Sequence, residues 1–235
     1  MPVPAANRLL MSLSTEAREK LTARSVPVKL PVKTPLFEPE KTPDYVYFLT
    51  SGMASIVNFT EDGGSAEVGI AGFEGMVGGL QMLGPAKLHV SAGMQLEGAG
   101  LRIPYEHAKR MFLESEEIRR RMLEYHQVQA IATTQLVACN RLHDAEARLA
   151  RWLLMARDCT GRDELSFTQE FLAMMLGSRR PTVTLVAGLL QRAGFIEYSR
   201  GNVTIVKGES LQDAACDCYA ITRGLTKNLY SSPLI

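Results

Sequence analysis

The periodicity of this sequence changes at Tyr105, and that change constrains the fold more than any other feature. In residues 26–104, glycine, proline and short alternating apolar runs predominate, and Asp62-Gly63-Gly64 has the composition of a tight turn between two strands. After Tyr105 the glycines almost vanish, and apolar residues recur at helical spacing. The sequence therefore predicts a β-barrel or β-roll followed by a mostly helical half.

Helices are expected on both sides of this change. Ser14 can cap a short helix over residues 15–22, in which Ala17 and Leu21 recur at helical spacing. A long helix over about residues 106–140 contains no breaker. The next segment, HDAEARLARWLLMARD, keeps the helical period and begins a second unit, so we place the boundary near Asn140.

One stripe of the long helix supports two interpretations. Its residues recur at alternating steps of four and three, as in a coiled-coil seam, so the helix can pair with a second copy of itself. Alternatively, the same stripe packs on the chain's own β half, as in an ordinary amphipathic helix. Spacing alone does not separate the two. The stripe consists of Ile118, Met122, Tyr125, Gln129, Ala132, Leu136 and Cys139.

The C-terminal half contains a predicted helix, a glycine turn and a second helix. Thr168 can cap the first helix, and Gly177 can end it in a left-handed conformation. Ser178 can cap the second helix, in whose first turn Pro181 is tolerated. The predicted buried residues are Phe171, Leu172 and Leu176 on the first helix, and Val183, Val186, Leu189 and Leu190 on the second.

The start of the second helix suits binding to DNA. Guanidinium groups can bind guanine edges bidentately in the major groove, and hydroxyl groups can bind phosphates. Two arginines and two threonines occur together at this end of the helix. The candidate DNA-binding residues on the two helices are Thr168, Gln169, Ser178, Arg179, Arg180, Thr182 and Thr184.

A hairpin with an excess of positive charge follows the two helices. The segment FIEYSRGNVTIV predicts two short strands joined by a turn that contains Arg200, which can lie beside the DNA backbone as a wing. Between Gly177 and Lys207 there are five basic residues and one acidic residue, 5 − 1 = +4, in a chain of net charge +1. Such a local excess favours phosphate binding. The alternative is a solvated face on an unrelated helical domain.

Several segments resemble the Crp/Fnr family of bacterial transcription regulators, over nearly the whole chain. They include SGMAS, EVGIAGFEG, RLARWLLM, FTQEFLAMMLGSRRPTV and AGFIEYSRGNVTIV, of which the C-terminal motif is the most specific. The resemblance implies an α+β fold. Its parts are an N-terminal, cyclic-nucleotide-binding-like antiparallel β-roll (of double-stranded β-helix or jelly-roll type), a long dimerisation helix and a C-terminal winged helix-turn-helix.

The resemblance also implies domains and partners. The sensory domain would occupy residues 1–140, with the dimerisation helix at about 106–140, and the DNA-binding domain residues 141–235. The family binds double-stranded DNA at a roughly palindromic operator as a homodimer, which favours the coiled-coil interpretation of the long helix. The two helices that contact bases would then lie about 34 Å apart. RNA polymerase is a further candidate partner.

Two motifs of the cyclic-AMP-binding members differ in this chain. Their Gly-Glu-Leu and Arg-Ser motifs correspond to Gly78-Gly79-Leu80 and His89-Val90, so both charged ligands of cyclic AMP are missing. A buried phosphate without a fixed cation loses its main charge-assisted hydrogen bonds, and we expect no tight binding of cyclic AMP. The backbone N–H groups of the glycines between Gly75 and Gly79 can still donate hydrogen bonds to an unidentified effector. The candidate pocket residues are Gly75, Gly78, Gly79, Leu80, His89 and Val90.

The helix that contacts bases departs from the family as well. Cyclic-AMP-type members use Arg-Glu and a later Arg, whereas the corresponding residues here are Arg180, Pro181 and Leu185. Only the first arginine is kept. We therefore expect a different target sequence.

Cofactors are not predicted. An iron–sulfur cluster needs four thiolates, mostly near the N-terminus in this family, and the first 140 residues contain only Cys139. The four histidines are interpreted as surface or structural residues rather than haem ligands. Cys216 and Cys218 are interpreted as ordinary cysteines on a terminal helix capped by Ser210, so no metal site is expected.

Other function classes find little support. Phosphate-binding-loop, zinc-protease and nucleophile-elbow motifs are absent, so we do not expect an enzyme. Glu114, Glu116 and Glu117 precede the main run of the long helix, where they stabilise its dipole without any catalytic role. No apolar run is long enough for a membrane span and no signal peptide is evident, so we expect a cytoplasmic protein.

The sequence therefore predicts a dimeric DNA-binding transcription regulator whose β-roll senses a small molecule. The alternative is a small-molecule-binding module whose winged helix contacts proteins instead of DNA.

Overall fold

The computed structural model describes residues 6–85, 88–167, 169–199 and 201–231. Its N-terminal half begins with two helices, and Ser14 caps the second of them by accepting a hydrogen bond from the Ala17 N–H, as predicted. A six-stranded antiparallel sheet follows. The elements of this half are α1 (Arg8–Met11), α2 (Thr15–Thr22), β1 (Val26–Leu30), β2 (Pro35–Phe37), β3 (Tyr45–Phe59), β4 (Ser65–Ala71), β5 (Met76–Val77), a 3₁₀ turn (Leu80–Met82) and β6 (Val90–Pro104).

The two longest strands organise the sheet. The main strand order is β1-β6-β3-β4, with β2 paired to β6 and β5 paired to β3. Strands β3 and β6 pair along nearly their whole length, with register shifts between Leu49 and Ala54. Gly52 lies in this irregular segment at φ +79°, a conformation that glycine adopts without strain. The predicted antiparallel β half and the Asp62-Gly63-Gly64 hairpin are thus confirmed.

The second half is mostly helical, as predicted. The expected single helix over about 106–140 is divided at Ser115, whose hydroxyl oxygen caps the longer piece by accepting from the Ile118 N–H. A three-stranded antiparallel sheet, ordered β7-β9-β8, lies near the C-terminus. The elements are α3 (Tyr105–Glu114), α4 (Glu116–Leu142), α5 (Ala145–Thr160), β7 (Glu164–Ser166), α6 (Gln169–Leu176), α7 (Arg180–Arg192), β8 (Ile196–Ser199), β9 (Asn202–Ile205), α8 (Gly208–Ala214) and α9 (Cys218–Ser231).

The prediction of a single terminal helix capped by Ser210 is wrong. Two helices occupy this region, and Ser210 lies inside α8, whose N-cap residue is Lys207. The cysteines lie at the junction of the two helices, Cys216 between them and Cys218 at the first position of α9. The helical spacing of the apolar residues does not show where one helix ends and the next begins. The C-cap residue of α8 is Ala215, whose backbone is extended, and the helix ends without the glycine or proline that usually marks a helix end in a sequence.

The hydrophobic core is continuous across the two halves. One cluster fills the sheet, and a second joins the sheet to α1, α2, α3 and α4. The largest cluster contains the helices and hairpin of the C-terminal half together with Met53, Ile70 and Leu96 of the sheet. The part of the chain from α5 onward, the C-terminal unit, is therefore packed on the sheet through buried apolar side chains. Within the described ranges, no helix has the length and apolar character that a membrane crossing requires.

Asn7 connects the N-terminal segment to the sheet. Its side-chain amide is buried and donates hydrogen bonds to the carbonyl oxygens of Leu49 (2.9 Å) and Gly75 (2.7 Å). Its side-chain oxygen accepts from the Leu10 N–H and so caps α1. One buried side chain thus satisfies three backbone groups that lie far apart in the sequence.

We expect Asn7→Ala to lower the free energy of unfolding by about 2–4 kcal/mol, because two buried carbonyls lose their donors and a helix loses its cap. Urea denaturation measures this change. Asn140→Ala, at an exposed position of α4, is the matched control and should change stability little. Equal stability of Asn7→Ala and the parent chain would contradict the role assigned to this side chain.

Candidate nucleic-acid interface

The predicted helix-turn-helix is present in the structure. Gly177 ends α6 at φ +55°, and the Ser178 N–H donates to the Ala173 carbonyl at 2.9 Å, as expected for a left-handed helix end. The apolar sides of α6 and α7 face each other. Six of the seven residues predicted to be buried are buried, namely Phe171, Leu172, Leu176, Val183, Val186 and Leu190. Leu189 is the exception and is exposed.

The N-terminal end of α7 differs from the prediction. Ser178 does not cap the helix, because it precedes the N-cap residue; its hydroxyl donates to the Leu176 carbonyl at 3.2 Å. The N-cap residue is Arg179, whose backbone is extended, and no side chain caps the helix. Pro181 lies in the first turn, as expected. This end of α7 therefore combines the positive end of the helix dipole with two arginines and no capping side chain of its own.

The side chains at this end are solvent-exposed. Arg179 is exposed and has no salt bridge within the described part of the chain. Arg180 is also exposed, but its guanidinium lies 3.1 Å from the Glu170 carboxylate of α6. Such exposed pairs contribute little, about 0–1 kcal/mol. The pair therefore does not prevent Arg180 from contacting another partner.

The remaining candidate residues of the two helices lie near this surface. Thr184 is exposed, and its hydroxyl donates to the Arg180 carbonyl one turn earlier. Thr182 is half-buried. Leu185 is 61% exposed, an unusual position for a leucine and one that sequence reasoning noted only as a departure from the family. Thr168 lies outside the described residues, and of Gln169 only the backbone, at the start of α6, is described.

The predicted wing is present as a hairpin. Strands β8 and β9 pair from Ile196 opposite Ile205 to Ser199 opposite Asn202, and Gly201 turns the chain at φ +85°. Arg200, the candidate backbone contact, lies outside the described residues. Strand β7 adds a third strand, and Ser166 donates a hydrogen bond to Asn202 at 2.7 Å. The hairpin and the two helices share one core, which fixes the wing relative to α7.

A buried hydrogen bond joins this unit to the sheet. The indole N–H of Trp152 in α5 donates to the Glu67 carboxylate of β4 at 2.6 Å, and the Ser55 hydroxyl donates to its other oxygen at 2.6 Å. Both Trp152 and Glu67 are buried. Burial raises the pKa of Glu67 to about 7, against the opposing effects of these two donors and the positive charge of Arg151. The Trp152 ring also contacts Phe167 and Phe171, beside α6.

The stripe predicted as a dimer seam lies largely against the chain's own sheet. Ile118, Met122 and Tyr125 are buried in the cluster that joins α4 to the N-terminal half. Gln129 donates to the Tyr125 hydroxyl at 2.9 Å, and Ala132 and Leu136 line a cavity. The first three residues are therefore enclosed within one chain, as in the alternative interpretation of an amphipathic helix. A second stripe of α4 is exposed, and it consists of Leu123, Gln127, Ala130, Thr134, Val137 and Arg141, with Ile131 and Ala138 beside it.

The predicted effector-pocket residues do not form one pocket. Gly75, Gly78 and Gly79 are buried; a Cβ atom on Gly75 would lie 2.1 Å from the Tyr125 ring of α4, whereas one on Gly78 would lie 2.9 Å from the Tyr45 carbonyl oxygen of β3. Leu80 is exposed, Val90 is half-buried and begins β6, and His89 lies 3.2 Å from Glu40 at the surface. Close packing thus explains the glycines, and the Gly75 N–H donates to the Gly72 carbonyl at 3.3 Å.

A cavity of about 380 Å³ lies elsewhere, between β4, α4, α5 and α9. All six predicted pocket residues are described by the structure, and none of them lines it. Its wall carries both signs of charge, with arginines and a lysine as well as acidic residues. The charged lining residues are Arg8, Glu74, Arg151, Asp158, Arg223 and Lys227. Sequence reasoning missed this cavity because its wall comes from five distant parts of the chain.

Comparisons with known proteins identify the C-terminal unit. Residues 147–214 match the family described as Crp-like helix-turn-helix domain. No match to the chain was found among curated proteins. Among solved structures, a c-di-GMP-responsive global regulator from Xanthomonas campestris is 20% identical, with 82% of this chain and 99% of that chain covered and a TM-score of 0.66.

Two further structures have the same fold. FixK2 from Bradyrhizobium japonicum is 13% identical, with coverages of 82% and 98% and a TM-score of 0.68. A CRP-family transcriptional regulator from Thermus thermophilus is 19% identical, with coverages of 80% and 96% and a TM-score of 0.66. The predicted α+β architecture is thereby confirmed along most of the chain.

The raised pKa of Glu67 gives a pH-dependent stability. The native carboxyl holds its proton up to about pH 7, whereas a carboxyl in the unfolded chain loses it near pH 4.5, so folding is stabilised below pH 4.5 and this contribution is lost as the pH rises through 7. Glu67→Gln removes the titration. The free energy of unfolding of this variant, minus that of the parent chain, is expected to be about 2 kcal/mol larger at pH 8 than at pH 5.

Urea denaturation at both pH values measures this difference. Glu164→Gln, at an exposed carboxylate of β7, is the control and should shift stability equally at the two pH values. If Glu67→Gln changed the free energy of unfolding by the same amount at pH 5 and pH 8, the buried carboxyl would not have a raised pKa.

Proposed function

Since residues 147–214 belong to the Crp-like helix-turn-helix domain family and the chain has the Crp/Fnr fold, we propose that this protein is a DNA-binding transcription regulator. The observation that carries the proposal is the N-terminal end of α7. It is exposed, carries Arg179 and Arg180, and lies on a segment of net charge +4 between Gly177 and Lys207. This end of α7 enters the major groove, and the hairpin β8–β9 lies along the adjacent backbone.

Each exposed side chain has a chemical role in this proposal. Arg179 is free for a guanine edge, and Arg180 exchanges its exposed partner Glu170 for a base or a phosphate. Thr182 and Thr184 bind phosphate oxygens, and Arg200 contacts the backbone from the turn of the wing. Leu185 is suited to a thymine methyl group, because it replaces a polar residue of cyclic-AMP-type members with an exposed apolar side chain.

We further propose that two copies associate through the exposed stripe of α4. Its residues recur at steps of four and three, and they include Leu123, Ala130 and Val137. Val137 is 67% exposed in the single chain. Two-fold pairing on this stripe leaves the buried residues Ile118, Met122 and Tyr125 in the core of their own chain. It also relates the two α7 helices by the symmetry that a palindromic operator requires.

The sensory function is proposed for the cavity rather than for the glycine turn. The cavity contacts α4, α5 and α9 together, so an occupant with unequal affinity for two settings of these helices shifts the population between them. Its mixed charges suit a small polar molecule. Cyclic AMP is not the expected effector, because neither of its two charged ligands is present at the corresponding positions.

The alternative proposal is a winged helix that binds protein. The exposed Leu185 and Leu189 favour it, because apolar side chains on a helix face also suit a protein groove. Selection of bound duplexes from a random pool separates the two. DNA recognition yields a repeated half-site at fixed spacing and an affinity that falls steeply with salt. Absence of both results would favour protein contacts.

We expect Arg180→Ala to weaken binding to the selected duplex by about 1–3 kcal/mol and to relax preference at one position of the half-site. Glu170→Gln frees Arg180 and should keep or increase the affinity. Arg24→Ala, at an exposed residue of the N-terminal half, is the control for loss of charge. Fluorescence anisotropy measures the three affinities. Equal losses for Arg24→Ala and Arg180→Ala would argue against a specific contact.

Ile131→Glu is expected to dissociate the dimer, because it places a carboxylate beside the exposed stripe on each chain, where the two charges repel each other across the two-fold axis. Leu113→Glu, at an exposed position of α3, should leave the oligomeric state unchanged. Sedimentation equilibrium measures the mass of each variant. A parent chain that stays monomeric, or an Ile131→Glu variant that stays dimeric, would exclude this interface.

A further inference from the structure

Four soft ligands meet where the long helix ends. Cys139 lies in the last turn of α4, and His143 is its C-cap residue. Cys216 precedes α9, and Cys218 is its first residue. The three Sγ atoms and a ring nitrogen of His143 all lie within 4.8 Å of one another. Residues more than 70 positions apart in the sequence are thus brought together by the packing of α9 on α4.

The distances are close to those of a tetrahedral zinc site. The Sγ atoms of Cys139 and Cys216 are 3.5 Å apart, and the Cys218 Sγ is 3.5 Å from the His143 Nδ1. In a regular Zn²⁺ site, two sulfurs are separated by about 3.8 Å and a sulfur and a nitrogen by about 3.5 Å, as follows from the metal–ligand bond lengths. The other sulfur–sulfur pairs exceed their reference separation by at most about 1.0 Å and the other sulfur–nitrogen pairs by at most about 1.3 Å, which rotation about the Cα–Cβ bonds can remove.

Neighbouring groups hold the ligands in place. The second ring nitrogen of His143, Nε2, lies 3.6 Å from the Asp217 carboxylate, on the side of the ring opposite the Nδ1 that faces Cys218. The Gln135 side-chain amide donates to the Cys218 Sγ at 3.1 Å, as a donor to a metal-bound thiolate would. Zinc sites in proteins commonly have both kinds of contact.

We propose that Cys139, His143, Cys216 and Cys218 form a Zn²⁺ site. Four protein ligands close the coordination sphere, so the site is structural and not catalytic. Binding exchanges three thiol protons for one Zn²⁺ ion, with His143 neutral, and three protons are released to solvent.

The position of the site gives it a mechanical role. Helix α4 ends at Leu142 and α5 begins at Ala145, so His143 lies in the connection between the halves. A metal ion at this point fastens that connection to α9, near whose far end the Leu229 carbonyl accepts a hydrogen bond from Arg121 of α4. The bound ion therefore restricts movement of the C-terminal unit about the connection.

A disulfide is the rival interpretation of the same cluster. Cys139 and Cys216 are near enough to approach bonding distance, but a disulfide would leave His143 and Cys218 without a role and requires an oxidant. The two interpretations differ in the state of the thiols. A zinc site keeps all four cysteines of the chain reduced, whereas the disulfide removes two of them.

Titration of the reduced full-length protein with Co²⁺ tests the proposal. We expect one Co²⁺ per chain, with the intense visible bands of tetrahedral coordination and a thiolate-to-cobalt charge-transfer band, and displacement of the ion by Zn²⁺. Cys218→Ser and His143→Gln should each weaken binding at least about tenfold. His143 is 32% exposed, so the second variant keeps a readout if the buried substitution prevents folding.

The chain offers its own control. Cys159 is a buried cysteine of α5 outside the cluster, and Cys159→Ser should bind Co²⁺ with the spectrum of the parent chain. Weak octahedral binding, or an unchanged spectrum in both Cys218→Ser and His143→Gln, would overturn the proposal. So would a Cys139–Cys216 disulfide found by mass spectrometry of the protein as isolated under reducing conditions.

Discussion

The buried hydrogen bond between Trp152 and Glu67 determines how the two halves are assembled. A carboxyl group removed from water is costly, and here it is satisfied by an indole N–H from α5 and a hydroxyl from β3. Moving the C-terminal unit away from the sheet would break the bond to Trp152 and expose the apolar cluster around it. Because the same indole ring packs on Phe167 and Phe171, the position of α6 follows from this contact as well.

Helix α4 has different functions on its two sides. The inner side supplies core residues such as Met122 and Tyr125, and the ring of Tyr125 occupies the space that a side chain at Gly75 would need. The outer side keeps an apolar stripe in solvent. Burial of one stripe is required for the chain to fold, so only the other stripe is available to a partner. A helix of this kind can report changes in its own core to a second copy.

The sequence predicts what depends on local chemistry. The cap at Ser14, the glycine turn at Gly177 and the wing hairpin all follow from residue types at fixed spacing, and the structure confirms them. Which stripe of α4 is buried could not be predicted, because both stripes have the same period. The prediction that Ser178 caps α7 was wrong by one residue, because the helix starts at Arg180 and Arg179 is its N-cap residue. The Cys139–Cys216 contact depends on 77 intervening residues and has no local signal.

Three contacts together limit how the C-terminal unit can move. Trp152 binds the sheet, the Tyr230 hydroxyl near the end of α9 donates to the Glu74 carbonyl, and the cysteine cluster lies at the link between α4 and α5. The cavity lies among the same elements, and Glu74 belongs to its wall. A molecule bound there would alter one of these contacts directly, and the two others would then direct the resulting movement. The end of α7 is carried by the same core, and this core is the physical connection between the cavity and Arg179 and Arg180 that the proposed function requires.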